Sequence, residues 1–183
     1  SEDGPLYDPE VNQIHIPYAF ISDIESLYQS NKAAESLIDL NQFKEDVLIH
    51  TLFHELGHAL IANYDLPVIG REEDAADALA AIISIDYFEQ GQEIAISAAQ
   101  MFQFEDLSRE IEEQDLAGEH SLDIQRFYLT LCFVYGSAPK EYKYIVEDGL
   151  LDDYRAQNCV VDYQNTLASW YRLLKPFLKD ATK

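Results

Sequence analysis

Between residues 41 and 64, Val47, Leu48, Leu52, Phe53, Leu56, Leu60 and Ile61 recur at steps of three and four. That spacing puts them on one face of an α-helix. The pattern stops near Asp65-Leu66-Pro67, and Gly70 punctuates the connection. Glu72, Glu73 and Asp74 then crowd the start of a third helix, where the helix dipole favours negative charge, and its apolar, Ala-rich stretch runs from Ala75 to Tyr87. Two packed helices over 41–87 are therefore the expected centre of the fold.

Around them, Val11 to Phe20 carries β-branched and aromatic residues, with Ile14 and Ile16 alternating about His15. This predicts a short strand that ends at Pro17 or lies at a sheet edge, since proline cannot donate to a ladder. Helical spacing over 22–38, 91–104, 121–136 and 155–179 fills most of the remainder, interrupted by acidic loops and by Gly136-Ser137-Ala138-Pro139. The expected fold class is α+β and predominantly helical, with a strand region over 1–20 and a helical C-terminal part over 91–183. With 183 residues, 48% hydrophobic content, twelve Tyr and nine Phe, the chain can bury a core, and one domain over 1–183 is expected.

Thirty-four acidic residues against twelve basic ones give a formal charge of −22, which repels phosphate backbones and argues against a nucleic-acid partner. The same field favours cationic peptides or divalent metals, although an acidic, solvated surface accounts for it as well. No apolar run approaches the roughly 20 residues a bilayer span needs, so no membrane insertion is expected in this segment. A start at Ser1, without Met or a signal-like apolar stretch, is expected of a processed or trimmed chain. Cys132 and Cys159 lack C-x-x-C spacing. Either they close one disulfide in an exported protein or they are two buried thiols.

Within the helix over 41–64 stands His54-Glu55-Leu56-Gly57-His58. At 3.6 residues per turn, His54 and His58 project from nearly the same face and can bind one zinc ion. Glu55 points about 100° away from His54, outside the ligand set but near a water held at the metal, where it can act as a base.

A catalytic zinc also needs a third protein ligand, and the following helix offers Glu73, with Asp77 one turn later. First-turn acids that complement a dipole explain Glu72 and Asp74. They do not explain Asp77, which lies among Ala75, Ala76, Ala78 and Leu79, where an unpaired carboxylate would be costly. Glu73 is therefore the expected third ligand, with Glu72 as the fallback, and Asp77 is expected to accept the second ring N–H of a ligating histidine.

HELGH followed by Glu73-x-x-Ala76-Asp77-x-x-Ala80 resembles the gluzincin pattern of zinc metallopeptidases, with a shorter gap than thermolysin between His58 and the third ligand. Leu66 to Asp77 (LPVIGREEDAAD) is similar to a family of bacterial metallopeptidases catalogued as a domain of unknown function. Glu119 to Phe127 (EHSLDIQRF), Cys132, Tyr135-Gly136 and Cys159 extend that resemblance over most of the chain. It implies a zincin-like fold, an exported protein of the bacterial periplasm or exterior, and a first strand lying N-terminal to Tyr7-Asp8-Pro9.

The implied activity is hydrolysis of a peptide or protein substrate with Glu55 as general base. His120 and Arg126 are the candidate donors to the developing oxyanion, because gluzincins supply such groups from a helix C-terminal to the metal site, and Tyr128 and Tyr135 are reserves. His50 shares the metal face but lies about 12 Å along the axis from His58, too far for the same ion. It is expected to be structural, and His15 to face solvent. The N-terminal strand is expected to be plain sheet structure, with an edge that can alternatively hold an extended substrate. The competing readings are a zinc-binding pseudoenzyme that serves as an interaction module and a structural helical protein in which HELGH arises by chance.

Overall fold

The computed structural model of the protein describes residues 4–31 and 38–179. Strands β1 (Leu6–Asp8) and β2 (Gln13–His15) form an antiparallel hairpin with Tyr7 opposite Ile14. Its turn carries Asn12 at φ 53°, a left-handed conformation that asparagine tolerates well. The expected strand over 11–20 thus shrinks to three residues, because helix α1 (Tyr18–Asn31) starts directly after Pro17. Its partner β1 falls in a segment rich in turn-forming residues, where the sequence shows no strand. Of the helix expected over 22–38, residues 32–37 lie outside the described residues.

The long helix α2 (Leu40–Tyr64) begins at Asp39, whose side chain accepts from the backbone N–H groups of Asn41 and Gln42 at 2.9 and 3.3 Å. It ends where Asp65 turns to φ 49°, ahead of Pro67. Helix α3 (Glu72–Tyr87) takes its three acids into the first turn and so starts before the apolar stretch. Then follow α4 (Gly91–Ser108), a short α5 (Glu113–Leu116), α6 (Asp123–Ser137), a short α7 (Tyr144–Glu147), α8 (Asp153–Leu174) and a 3-10 turn over Lys175–Phe177. The architecture is predominantly helical with a small N-terminal sheet, as expected.

Two apolar clusters hold these elements. The larger joins α3, α4, α6 and α8 through residues such as Leu79, Ala99, Leu131 and Tyr163. The smaller joins α1, α2 and α4 through Ile24, Phe43 and Phe104. Buried Asp46 crosses from α2 to α4, accepting from Ser97 Oγ at 2.7 Å and from Gln42 Nε2 at 2.7 Å, so its charge is not left unpartnered.

Cys132 and Cys159 are disulfide-bonded, joining α6 to α8 with their Cα atoms 5.1 Å apart. One turn beyond Cys132, Gly136 faces the Cys159 carbonyl with no room for a Cβ, which lets the two helices approach closely enough for the bond. Among the described residues, no helix is long and apolar enough to cross a membrane.

The hairpin is fastened over α2 by its turn. Asn63 donates to Tyr7 Oη at 3.0 Å and to Asn12 Oδ1 at 2.9 Å. This lays β1 across the face of α2 that carries the two histidines.

Candidate metal centre

Helices α2 and α3 pack closely where Gly57 meets Ala76. A Cβ on Gly57 would lie 3.0 Å from Ala76 Cα, tighter than ordinary van der Waals contact, so glycine there sets how near α3 can come. Glu73 sits one turn before Ala76 and Asp77 directly after it, and the close approach brings both carboxylates to the imidazoles of α2.

His54 and His58 present their Nε2 atoms 3.2 Å apart. Glu73 Oε2 lies 3.2 Å from His54 Nε2 and 3.4 Å from His58 Nε2. Ligands about 2.0–2.1 Å from a tetrahedral zinc stand roughly 3.3–3.4 Å from one another, so the three atoms match one face of such a tetrahedron.

On the far side of each ring a carboxylate fixes the tautomer. Asp77 Oδ1 lies 2.8 Å from His54 Nδ1, and Glu72 Oε1 lies 2.9 Å from His58 Nδ1. With both Nδ1 atoms donating outward, each Nε2 turns a lone pair inward. Glu73 Oε2 is buried and receives no well-aligned hydrogen bond, although the Nε2 atoms of His54, His58 and His120 stand 3.2, 3.4 and 2.8 Å away. Proximity without alignment leaves the donor atoms of His54, His58 and Glu73 converging on one point, and His54, Glu73 and His120 make a second such set. A divalent cation satisfies that arrangement, and the two-nitrogen, one-oxygen donor set suits zinc.

Protons compete for the same lone pairs. Burial alone would lower His54, yet its hydrogen bond to Asp77 and the nearby Glu73 carboxylate push it up to about 9. His58 is raised chiefly by Glu73. Burial works against ionisation of Glu73, but His120, His54 and His58 together hold it far below the usual carboxylate range.

Glu55 is 6% exposed. Burial raises its carboxyl, while the two histidines and the Tyr7 backbone N–H, which donates to it, oppose the shift. Glu55 separates two cavities that also share Pro5, His54 and His120. One, of about 160 Å³, runs toward α4; the other, of about 360 Å³, lies beneath Leu6, Tyr7 and Pro9. The strand facing the cleft is thus β1, whereas the sequence singled out the strand around His15.

His120 precedes α6 on an exposed loop, its ring parallel to that of His54 with centroids 6.4 Å apart. Arg71 Nη1 donates to the His120 carbonyl at 2.8 Å, and Ser121 Oγ donates to Asp74 Oδ1 at 2.7 Å. Arg126 borders the smaller cavity with Glu55; its Nε and Nη2 donate to Asp77 Oδ2 and Oδ1 at 2.7 and 2.9 Å, and its guanidinium lies 3.9 Å over the Phe102 ring. Tyr128 is exposed beside Phe127, and Tyr135 packs against the larger core. Neither lines the two cavities at Glu55. Buried His50, pushed down to about 4 mainly by burial, remains neutral, and His15 is exposed.

The sequence did not single out Tyr7, Arg71 or the pairing of Glu72 with His58. Arg71 had a signal, since a cation directly before a helix N-terminus opposes the dipole and calls for a partner. Tyr7 had none, because its backbone reaches Glu55 only through the hairpin's tertiary docking.

No curated protein and no solved structure shows significant similarity to the chain. The family model described as "Putative metallopeptidase" matches residues 1–174, and the chain belongs to that family.

Proposed function

We propose that the protein is a zinc-dependent peptidase of the gluzincin type, carried by one zincin-like domain, in which His54, His58 and Glu73 hold the metal and Glu55 is the general base. The observation that carries this reading is the triangle of His54 Nε2, His58 Nε2 and Glu73 Oε2, with edges of 3.2, 3.2 and 3.4 Å, beside a buried carboxyl whose affinity for protons is raised.

When bound, zinc polarises the scissile carbonyl and lowers the pKa of water from about 15.7 toward 7. Glu55 takes the proton of the attacking water and passes it to the leaving amine, a task that a raised carboxyl pKa suits. Asp77 and Glu72 hold the two imidazoles in the ligating tautomer. His120 donates to the developing oxyanion. Arg126, spent on Asp77, supports the histidine that Asp77 orients and is not assigned to the oxyanion.

A peptide or protein chain is the proposed substrate, laid in the cavities on either side of Glu55. The Cys132–Cys159 bond supports a location outside the reducing cytoplasm, in the periplasm or beyond the cell.

One contact favours the pseudoenzyme reading. His120 Nε2 lies 2.8 Å from Glu73 Oε2, within reach of the same ion, and a fourth protein ligand would close the site as structural zinc sites are closed. Hydrolysis decides between them. Zinc-loaded wild type is expected to cleave an unstructured protein such as casein, and Glu55→Gln to lose at least about 100-fold in rate while keeping its zinc. Activity retained in Glu55→Gln, or a zinc-loaded wild type without activity, contradicts the peptidase reading.

A further inference from the structure

The cavity of about 160 Å³ beside Glu55 has apolar walls from Val47, Ala98, Met101 and Phe102, and at its α4 side stands a carboxylate, Glu105. Glu105 also borders a second cavity of about 510 Å³, which shares His120 and Arg126 with the first. Among the described residues no hydrogen bond or ion pair engages the Glu105 carboxylate.

The cations near it are already committed. Arg126 is held by Asp77, and Arg109 by Asp115 and Asp123 at 2.8 and 3.1 Å. A second polar group on the same cavity lacks a partner too: His50 is 3% exposed, and its Nε2 has no hydrogen bond.

We infer that this cavity binds the basic side chain, lysine or arginine, of a peptide substrate beside the scissile bond, with Glu105 as the residue that selects it. The inference rests on the peptidase reading. Apolar walls ending at an acid suit a side chain with an aliphatic stem and a cationic head. Partial burial pushes Glu105 up to about 7, so its ionised form gains most from a cation placed in the cavity. An arriving cation supplies the missing partner, and the net charge of −22 draws such peptides toward the surface. The α-ammonium of a substrate has the same head without the stem, so the apolar walls favour the side chain.

The test measures binding, by calorimetry at pH 8, of two N-acetylated, C-amidated heptapeptides to zinc-loaded Glu55→Gln protein. They are identical except for lysine or its uncharged counterpart norleucine at the centre. Lysine is expected to bind about tenfold or more tightly, as a charge-assisted hydrogen bond implies. Adding Glu105→Gln should bring the two within about twofold, and Glu105→Asp should keep the preference. Equal affinities, or a preference that survives Glu105→Gln, overturn the inference, as does failure of both peptides to bind. A norleucine peptide with a free N-terminus that matches the lysine peptide reassigns the pocket to the α-ammonium and likewise overturns it. Wild-type hydrolysis separates the two claims. Cleavage of both peptides at equal rates sinks the pocket and leaves the peptidase, whereas Glu105-dependent binding without hydrolysis does the reverse.

Discussion

Both oxygens of Asp77 are in use: Oδ1 lies 2.8 Å from His54 Nδ1 and 2.9 Å from Arg126 Nη2, and Oδ2 accepts from Arg126 Nε at 2.7 Å. Arg126 holds the carboxylate that holds the histidine. Asp77→Asn is therefore expected to weaken zinc binding by about 10–100-fold, read by competition with a chromogenic chelator. Arg126→Ala leaves a buried carboxylate half-partnered and should cost about 3 kcal/mol in chemical denaturation. Unchanged zinc affinity in Asp77→Asn would show that the pairing does not orient His54.

Gly57 sets the distance between α2 and α3. A Cβ there would meet Ala76 Cα at 3.0 Å and its Cβ at 3.2 Å, so Gly57→Ala must push the helices apart near the metal ligands. A stability loss of about 1–3 kcal/mol is expected for overpacking of this kind, accompanied by weaker zinc binding. Gly57→Ala with wild-type zinc affinity would mean that the helix spacing is not what positions Glu73.

Cys132 and Cys159 close a loop of 27 residues between α6 and α8, both 0% exposed. Replacing both with alanine should lower unfolding stability by about 3 kcal/mol. The double variant is expected to keep its zinc, because the bond lies in the larger core and its partners do not include the metal ligands. Loss of zinc in a folded double variant would contradict that separation.

How far the sequence carries the account depends on how local each feature is. The helical spacing of 41–64 is a local pattern, and turn geometry alone places the two imidazoles and the carboxylate of HELGH where the proposed ligands and base are needed. Asp77 was legible because a carboxylate among alanines needs a partner. The first strand was not, since three residues in a turn-rich segment have no periodicity to show, and the hairpin they form is held to α2 by contacts distant in sequence, such as those of Asn63. Arg126 stood out by its place along the chain, which says nothing of its direction. Position along the chain suggested the oxyanion, whereas the fold turns its guanidinium toward Asp77. Glu105 drew no notice at all, because a glutamate on a helix reads as solvated until the fold shows its carboxylate beside a cavity.

The carboxyl of Glu105 is raised from 4.5 to about 7, first by burial and then by Asp123, against the opposing pull of Arg126 and Arg109, with Asp77 adding to the rise. A folded state that holds this proton more tightly than the unfolded chain gains stability below pH 4.5 and loses it as pH rises through 7. Wild type should thus lose more stability than Glu105→Gln between those values. The lysine preference should run the opposite way, appearing above pH 7 as the carboxylate forms. Identical pH profiles for wild type and Glu105→Gln would show that Glu105 does not titrate in this range.

The central claim is that three side chains on two helices hold one zinc ion. Elemental analysis of purified protein after zinc loading and dialysis, beside His54→Ala and Glu73→Ala, tests it directly. About one zinc per wild-type chain, lost or strongly weakened in both folded variants, is the expected result. A wild-type protein without zinc, or a Glu73→Ala variant that holds it as tightly, would contradict the account.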